Sequence, residues 1–171
     1  MFNLQAFSTQ KSPVSDGPTA VALARIRGLL TKLLHNPETG VLYLLNGDAS
    51  PITKGMLCRF DADNRVTPTT YLFGDTPVVC LADSLPAGEW GFFRFAGEAD
   101  VRLINAIAPS PSDVVYVGGV DGLGDISAPG GAGTWIKQVG WLLDETSYVT
   151  VTNPLVRVVL EPCCGIYNPI I

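Results

Sequence analysis

The chain has 171 residues, 47% of them apolar and only 16% Asp, Glu, Lys or Arg, against about 25% charged in an ordinary soluble protein. That length suits one domain with a real core, and a mean hydropathy of +0.28 at so low a charge implies surface covered by something other than water. A net charge of −5 and a lone histidine, His35, with no apolar run near the roughly 18 residues of a membrane span, argue against nucleic acid, lipid, most zinc sites and His-based relays.

Residues 1–18 carry Phe2, Leu4 and Phe7, then Lys11-Ser12-Pro13 and Ser15-Asp16-Gly17-Pro18. Nothing there forces helix or strand, so the segment reads as an extended arm. It lacks the basic stretch, apolar run and cleavage site of a secretory signal, so an unexported chain with reduced thiols is expected. Over 19–36 the apolar residues Ala22, Ile26, Leu29-Leu30 and Leu33-Leu34 recur near a 3.6 period, with Thr19 as N-cap and Asn36-Pro37 as stop. The spacing predicts a short helix, weakened by about 1 kcal/mol at Gly28, with an extended segment as the alternative. Four basic residues (Lys11, Arg25, Arg27, Lys32) and one acid (Asp16) make the first 35 residues net +3, while the remainder is net −8. A basic arm lying on an acidic neighbour fits that split, although so few charges carry little weight alone.

From 37 to 161 the texture is that of strands. Short apolar runs fall at 41–45, 56–60, 77–82, 90–95, 100–104, 114–117, 136–143, 149–152 and 156–160, separated by turn signals such as Asn46-Gly47-Asp48, Asp61 to Arg65, Phe73-Gly74-Asp75 and Pro86-Ala87-Gly88. With no helical connectors between them, the expected fold is mainly β, a small antiparallel barrel or sandwich of about eight strands. Phe93 and Phe95 share one strand face with Arg94 opposite; Val156, Val158 and Leu160 alternate with Leu155, Arg157 and Val159. The second face of that last strand is apolar except for Arg157, which a subunit contact would explain. Residues 162–171 form a C-terminal tail in which Ile166, Tyr167, Ile170 and Ile171 are apolar and Pro162 and Pro169 add stiffness. The tail either packs on its own barrel or hooks onto a neighbour.

Motifs for chemistry are weak. Asp61-Ala62-Asp63-Asn64-Arg65 lacks the glycine and distal glutamate of a calcium loop and reads as a hairpin connection. The glycine-rich stretches 118–125 and 130–134 lack the Lys-Ser/Thr ending of a phosphate loop. Cys58 and Cys80 lie in apolar runs as small hydrophobes, and the adjacent Cys163-Cys164 has no metal-ligand spacing. Asp100 with Asp113, or Ser127 with His35, has no motif support as a catalytic pair. Trp90, Trp135 and Trp141 read as core or interface. No catalytic residue, cofactor, metal or small-molecule substrate is expected.

The order of features from residue 52 resembles the small phage capsid decoration proteins, also called head cement or head-stabilising proteins. Ile52-Thr53-Lys54-Gly55-Met56-Leu57-Cys58-Arg59-Phe60 is similar to their opening strand, and Gly88 to Ala99, with its Ala-Gly-Glu turn, to their central strand pair. Ser112-Asp113-Val114-Val115-Tyr116-Val117 resembles their Gly-Asp-x-Val-Tyr strand with serine for glycine. Val139 to Leu143 and Val156 to Leu160 resemble the closing strands. The likeness spans roughly 50–161; the long front segment and the tail depart from it.

The resemblance implies a structural virion protein, made in the host cytoplasm and carried on the capsid exterior. It would bind the major capsid (coat) protein, commonly as a homotrimer, and bridge neighbouring subunits without reaction or cofactor. On that basis Phe2, Leu4 and Phe7 anchor the arm, Arg25, Arg27 and Lys32 meet acidic partner surface, and Arg157, Ile166, Tyr167, Ile170 and Ile171 complete the interface. The departures leave another β-barrel virion part, such as a head-fibre base, tail or adaptor component, as the alternative.

Overall fold

The computed structural model describes residues 40–62, 64–104, 110–143, 152–161 and 166–168. The arm over 1–18, the helix expected over 19–36, all but Thr152 of the strand expected at 149–152, and tail residues 162–165 and 169–171 lie outside the described residues. Within them the chain is mainly β, as its composition implies, and contains no helix.

Five strands make a closed barrel, here unit 1: β1 (Val41–Asn46), β3 (Leu57–Ala62), β4 (Arg65–Pro68), β5 (Val78–Cys80) and β7 (Trp90–Arg94), in the order β1-β4-β3-β5-β7. The expectation of an antiparallel barrel needs one correction. β1 runs parallel to β4, with Leu45 opposite Arg65 and Asn46 opposite Val66. The long excursion between β1 and β3 lets β1 close the barrel beside the far strand of the β3–β4 hairpin, so closure needs no antiparallel neighbour. The short pair β2 (Ile52–Thr53) and β6 (Ser84–Leu85) brings Ile52 and Leu85 into this barrel's core, with Leu44, Cys58, Val66, Val78, Cys80 and Phe93.

A second sheet, unit 2, repeats the plan. It comprises β8 (Gly97–Arg102), β9 (Val114–Val117), β10 (Gly124–Asp125), β12 (Gln138–Leu142) and β13 (Leu155–Leu160), in the order β10-β9-β12-β13-β8. A parallel bridge between Leu103 and Gly124 brings its two edges together, where unit 1 has the β1–β4 pair. The last pair of strands, β11 (Trp135–Ile136) and β14 (Ile166–Tyr167), lies outside both units.

The correspondence reaches single hydrogen bonds. Gly55 N donates to Cys80 O at 3.0 Å, and Ser112 N to Leu142 O at 2.9 Å; Cys80 N returns to Met56 O at 3.0 Å, and Leu142 N to Asp113 O at 2.9 Å. Leu81 N to Phe92 O is matched by Leu143 N to Arg157 O, and Asn46 N to Glu89 O by Leu103 N to Pro154 O. Left-handed residues pair in the same way: Gly40 with Gly97, Gly55 with Ser112, Asn64 with Gly122, and Gly88 with Asn153. The turn before β3 needs a positive φ, which glycine adopts freely; its counterpart before β9 holds Ser112 at φ 72° despite the steric cost. Among the described residues, units 1 and 2 are therefore an internal structural duplication.

Alternation along β3 and β5 joins the units. Cys58, Val78 and Cys80 face the interior of unit 1, while Leu57 and Val79 point outward and belong to the core of unit 2, among Ala99, Val101, Leu103, Val115, Leu142, Val156 and Val158. Backbone bonds reinforce the seam: Leu57 N donates to Gly122 O at 2.8 Å, Arg102 N to Gly55 O at 2.8 Å, and Tyr71 N to Gly118 O at 3.0 Å. Buried Lys137 donates from Nζ to Gly74 O at 3.0 Å and Trp135 N to Tyr71 O at 2.7 Å, tying the loop after β4 to the far side of the seam.

Candidate partner interface

The duplication allows the outer faces of the two units to be compared position by position. In unit 1, Tyr43 lies opposite Phe92 and Leu45 opposite Trp90, so these side chains share the outward face of the β1–β7 pair. The Tyr43 ring stacks on Trp90 at 5.6 Å between centroids and tilts against Phe92 at 5.0 Å. Tyr43 is buried between them, and Phe92 is 43% exposed. Burial, with the nearby Glu89 charge second, pushes the Tyr43 hydroxyl pKa upward, so the phenol stays neutral. The cluster is aromatic, with the Trp90 Nε1 buried and Phe92 its exposed member, the kind of side chain enriched at interface centres.

The same positions in unit 2 carry charge. Asp100 replaces Tyr43 and Arg157 replaces Phe92, as their pairing across β8 and β13 shows. Arg157 Nε donates to Asp100 Oδ1 at 2.8 Å, and Lys54 Nζ lies 2.8 Å from Asp100 Oδ2. Arg157 Nη1 is 3.7 Å from Glu98 Oε2. Hydrogen bonding from Lys54, aided by Arg157 and opposed by partial burial, holds the Asp100 carboxyl below its ordinary 3.8. Stability from a carboxylate lowered in the folded state is complete above the unfolded value and disappears as pH falls through the folded one. Asp100→Asn is therefore expected to lower stability at pH 7 by less than about 1 kcal/mol, as for other half-exposed pairs. The gap from wild type should close as pH drops below 3.8. Thermal melts of both proteins from pH 7 to pH 2 test this, and a gap that widened in acid would reject the assignment.

A second apolar stretch lies on unit 2, where Trp141 stands opposite both Val114 and Val159. Trp141 is 39% and Leu143 40% exposed.

Of the interface residues expected from sequence, Arg157 lies on β13 in the ionic cluster, where it faces outward. Ile166 lies on β14 with 66% of its surface exposed. The backbone of β14 is held by the molecule itself: Ile166 pairs with Ile136 and Tyr167 with Trp135, and Asn168 N donates to Thr134 O at 2.9 Å. Phe2, Leu4, Phe7, Arg25, Arg27, Lys32, Ile170 and Ile171 lie outside the described residues. Tyr43, Phe92 and Leu143 were not singled out from the sequence; their shared exposure depends on cross-strand register. From the sequence, Trp90 and Trp141 read as core or interface.

Among the described residues the two thiols, Cys58 and Cys80, are buried and free. Burial raises the Cys58 pKa far above its usual value and that of Cys80 to about 11, so both remain protonated at neutral pH. Among the described residues no cluster of three or more His, Cys, Asp or Glu is placed to hold a metal, and no helix is long and apolar enough to cross a membrane. No family model matches the chain, and no curated protein or solved structure matches it either.

Proposed function

We propose that this is a structural virion protein that binds the outer surface of a phage capsid and bridges neighbouring coat subunits. One observation carries the binding role. At equivalent outward positions, unit 2 places the charged Asp100 and Arg157 where unit 1 places Tyr43 and Phe92. A fold that can put ions at those positions and instead packs Tyr43 against a Phe92 that is 43% exposed offers an apolar contact point to a protein surface. The class of partner, the coat protein, comes from the strand motifs in residues 52–160, among them the turns at Gly55 and Ser112 that open β3 and β9.

In this reading the aromatic face of unit 1 is the rigid contact and the 1–18 arm, with Phe2, Leu4 and Phe7, is a second one. Two linked contacts on adjacent coat subunits raise the effective concentration of each other, so the lattice is clamped without strong individual bonds. Arg25, Arg27 and Lys32 orient the arm, and the tail residues Ile166, Tyr167, Ile170 and Ile171 extend the contact.

The test is co-sedimentation with expanded coat-protein shells of the same source that lack this chain. Wild type should bind saturably. Phe92→Asp should weaken binding by at least about tenfold, the effect of a modest interface hot spot, and deletion of 1–18 should weaken it while leaving the β body folded. Absence of binding to shells, or undiminished binding by both variants, would overturn the proposal.

A further inference from the structure

We infer that Asn46-Gly47 is a self-modification site: the Asn46 side-chain amide, which the fold both uses and shields, is lost to attack by the Gly47 nitrogen once β1 leaves its neighbours, and the acid that results is not taken back into the barrel. The inference goes beyond coat binding and does not depend on it.

The pair is the one Asn-Gly in the chain. Glycine has no Cβ to hinder its own nitrogen, so in an open chain Gly47 N reaches the Asn46 side-chain carbon. The step balances with water as its only co-reactant. The bond from Gly47 N to Asn46 Cγ forms, the Cγ–Nδ2 bond breaks, and the amide leaves as ammonia with the proton from Gly47 N. Water then opens the cyclic imide at either carbonyl, giving aspartate or its β-linked isomer. Asn36, Asn153 and Asn168 each precede proline, whose nitrogen carries no hydrogen, and are closed to this route.

In the fold every group in that step is held. Asn46 is 1% exposed. Its Nδ2 donates to Ser50 O at 3.0 Å and to Leu85 O at 2.9 Å, and its Oδ1 accepts from Asp48 N at 2.9 Å. Gly47 N donates to Val66 O at 2.8 Å. Attack needs Gly47 N freed and the carboxamide turned, so β1 must first come away from β4 and from Leu85.

The same bonds make the change one-way. A carboxylate has no hydrogen to give, so an aspartate there would set its oxygens against the Ser50 and Leu85 carbonyls in a buried site. The β-linked isomer adds a backbone atom at the end of β1, a strand paired with both β4 and β7. Unit 2 has buried Leu103 at the equivalent position, so the chemistry is confined to unit 1. The pair is a timer on chains that stay unfolded, and the folded molecule is exempt from it.

The experiment ages the full chain in mildly alkaline, reducing buffer with and without guanidinium chloride, then dilutes the denaturant and separates refolded from unfolded protein by size exclusion. Tryptic fragment 33–54 holds Asn46 and, besides it, only Asn36 before Pro37, so its conversion from amide to acid, read by mass spectrometry, reports this site. Conversion should be at least about a hundredfold slower without denaturant, because Asn46 is released only by opening that breaks the β1 pairing. After dilution the refolded pool should keep the amide and the unfolded pool should collect the acid, the refolding yield falling as acid accumulates. Gly47→Ala, whose Cβ would meet Arg65 side-chain atoms able to swing aside, should keep its yield over the same time. If that variant does not fold, the composition of the two wild-type pools decides. Equal conversion with and without denaturant, acid shared equally between the pools, or a yield lost without acid or lost equally in Gly47→Ala overturns the inference. Shell binding is read in none of these arms, so failure of either proposal can be told from failure of the other.

Discussion

Replacing Gly140 with alanine is expected to destabilise the protein by roughly 3 kcal/mol, the upper range for overpacking a rigid site. For a chain of this length that lowers Tm by about 6–12 °C. Gly140 sits in β12 between Val115 of β9 and Leu160 of β13, beside an irregularity in register at Gln138. A Cβ there overlaps the Val159 carbonyl oxygen and lies 2.8 Å from Val159 C and 3.0 Å from Leu160 Cα. All three are backbone atoms, so no side chain can swing aside; β13 itself must move, at the expense of its pairing and of the Glu161 N to Val139 O bond. Gly130→Ala is the control, since a Cβ there meets nothing within 4 Å, and should change stability by no more than about 0.5 kcal/mol. Calorimetry of both variants decides the matter: equal melting temperatures for Gly140→Ala and wild type would mean that β12 and β13 do not approach in this way.

That glycine shows why part of the fold was readable and part was not. Periodicity found the strands with alternating burial: in β13, Val156, Val158 and Leu160 are buried as expected, and in β7 Phe93 is buried while Arg94 lies nearer the surface. The Asp61 to Arg65 segment is the expected hairpin connection, with Asn64 left-handed and Arg65 Nη2 paired to Asp61 Oδ2 at 2.6 Å. β4, however, ends at Pro68 and had no apolar run to reveal it. β8 starts at Gly97, inside what reads as a turn, and β14 is too short and too near prolines to stand out.

The duplication was hidden for a related reason. Inward counterparts keep only apolar character, as in Leu44 and Val101, Cys58 and Val115, Cys80 and Leu142, or Phe93 and Val158. Outward counterparts on the β1–β7 and β8–β13 pairs have changed from aromatic to charged, as in Tyr43 and Asp100 or Phe92 and Arg157. Core positions require volume and hydrophobicity, not identity, so a repeat can survive in backbone geometry after its sequence signal is lost. The candidate interface lies on the diverged positions. Of its residues the sequence points only to Trp90, as core or interface, because their common face depends on which strand lies beside which.

The seam between the units leads to the second large effect. Leu57→Ala removes a fully buried side chain that hangs on a unit 1 strand but packs in the unit 2 core. Truncation of a buried leucine costs about 2–5 kcal/mol, and here the cost should fall on both halves. Unit 2 loses core volume, and unit 1 loses the contact that fixes the outer face of β3, where Leu57 N also donates to Gly122 O. The two halves should therefore unfold in one transition. Denaturant titrations of one variant retaining only Trp90 and another retaining only Trp141 report on units 1 and 2 separately. Both probes should give one shared midpoint, and Leu57→Ala should shift both downward by the same amount. If the midpoints separate, or if only one moves, Leu57 is a local core residue and the units are independent domains, not one molecule locked by its outward-facing β3–β5 row.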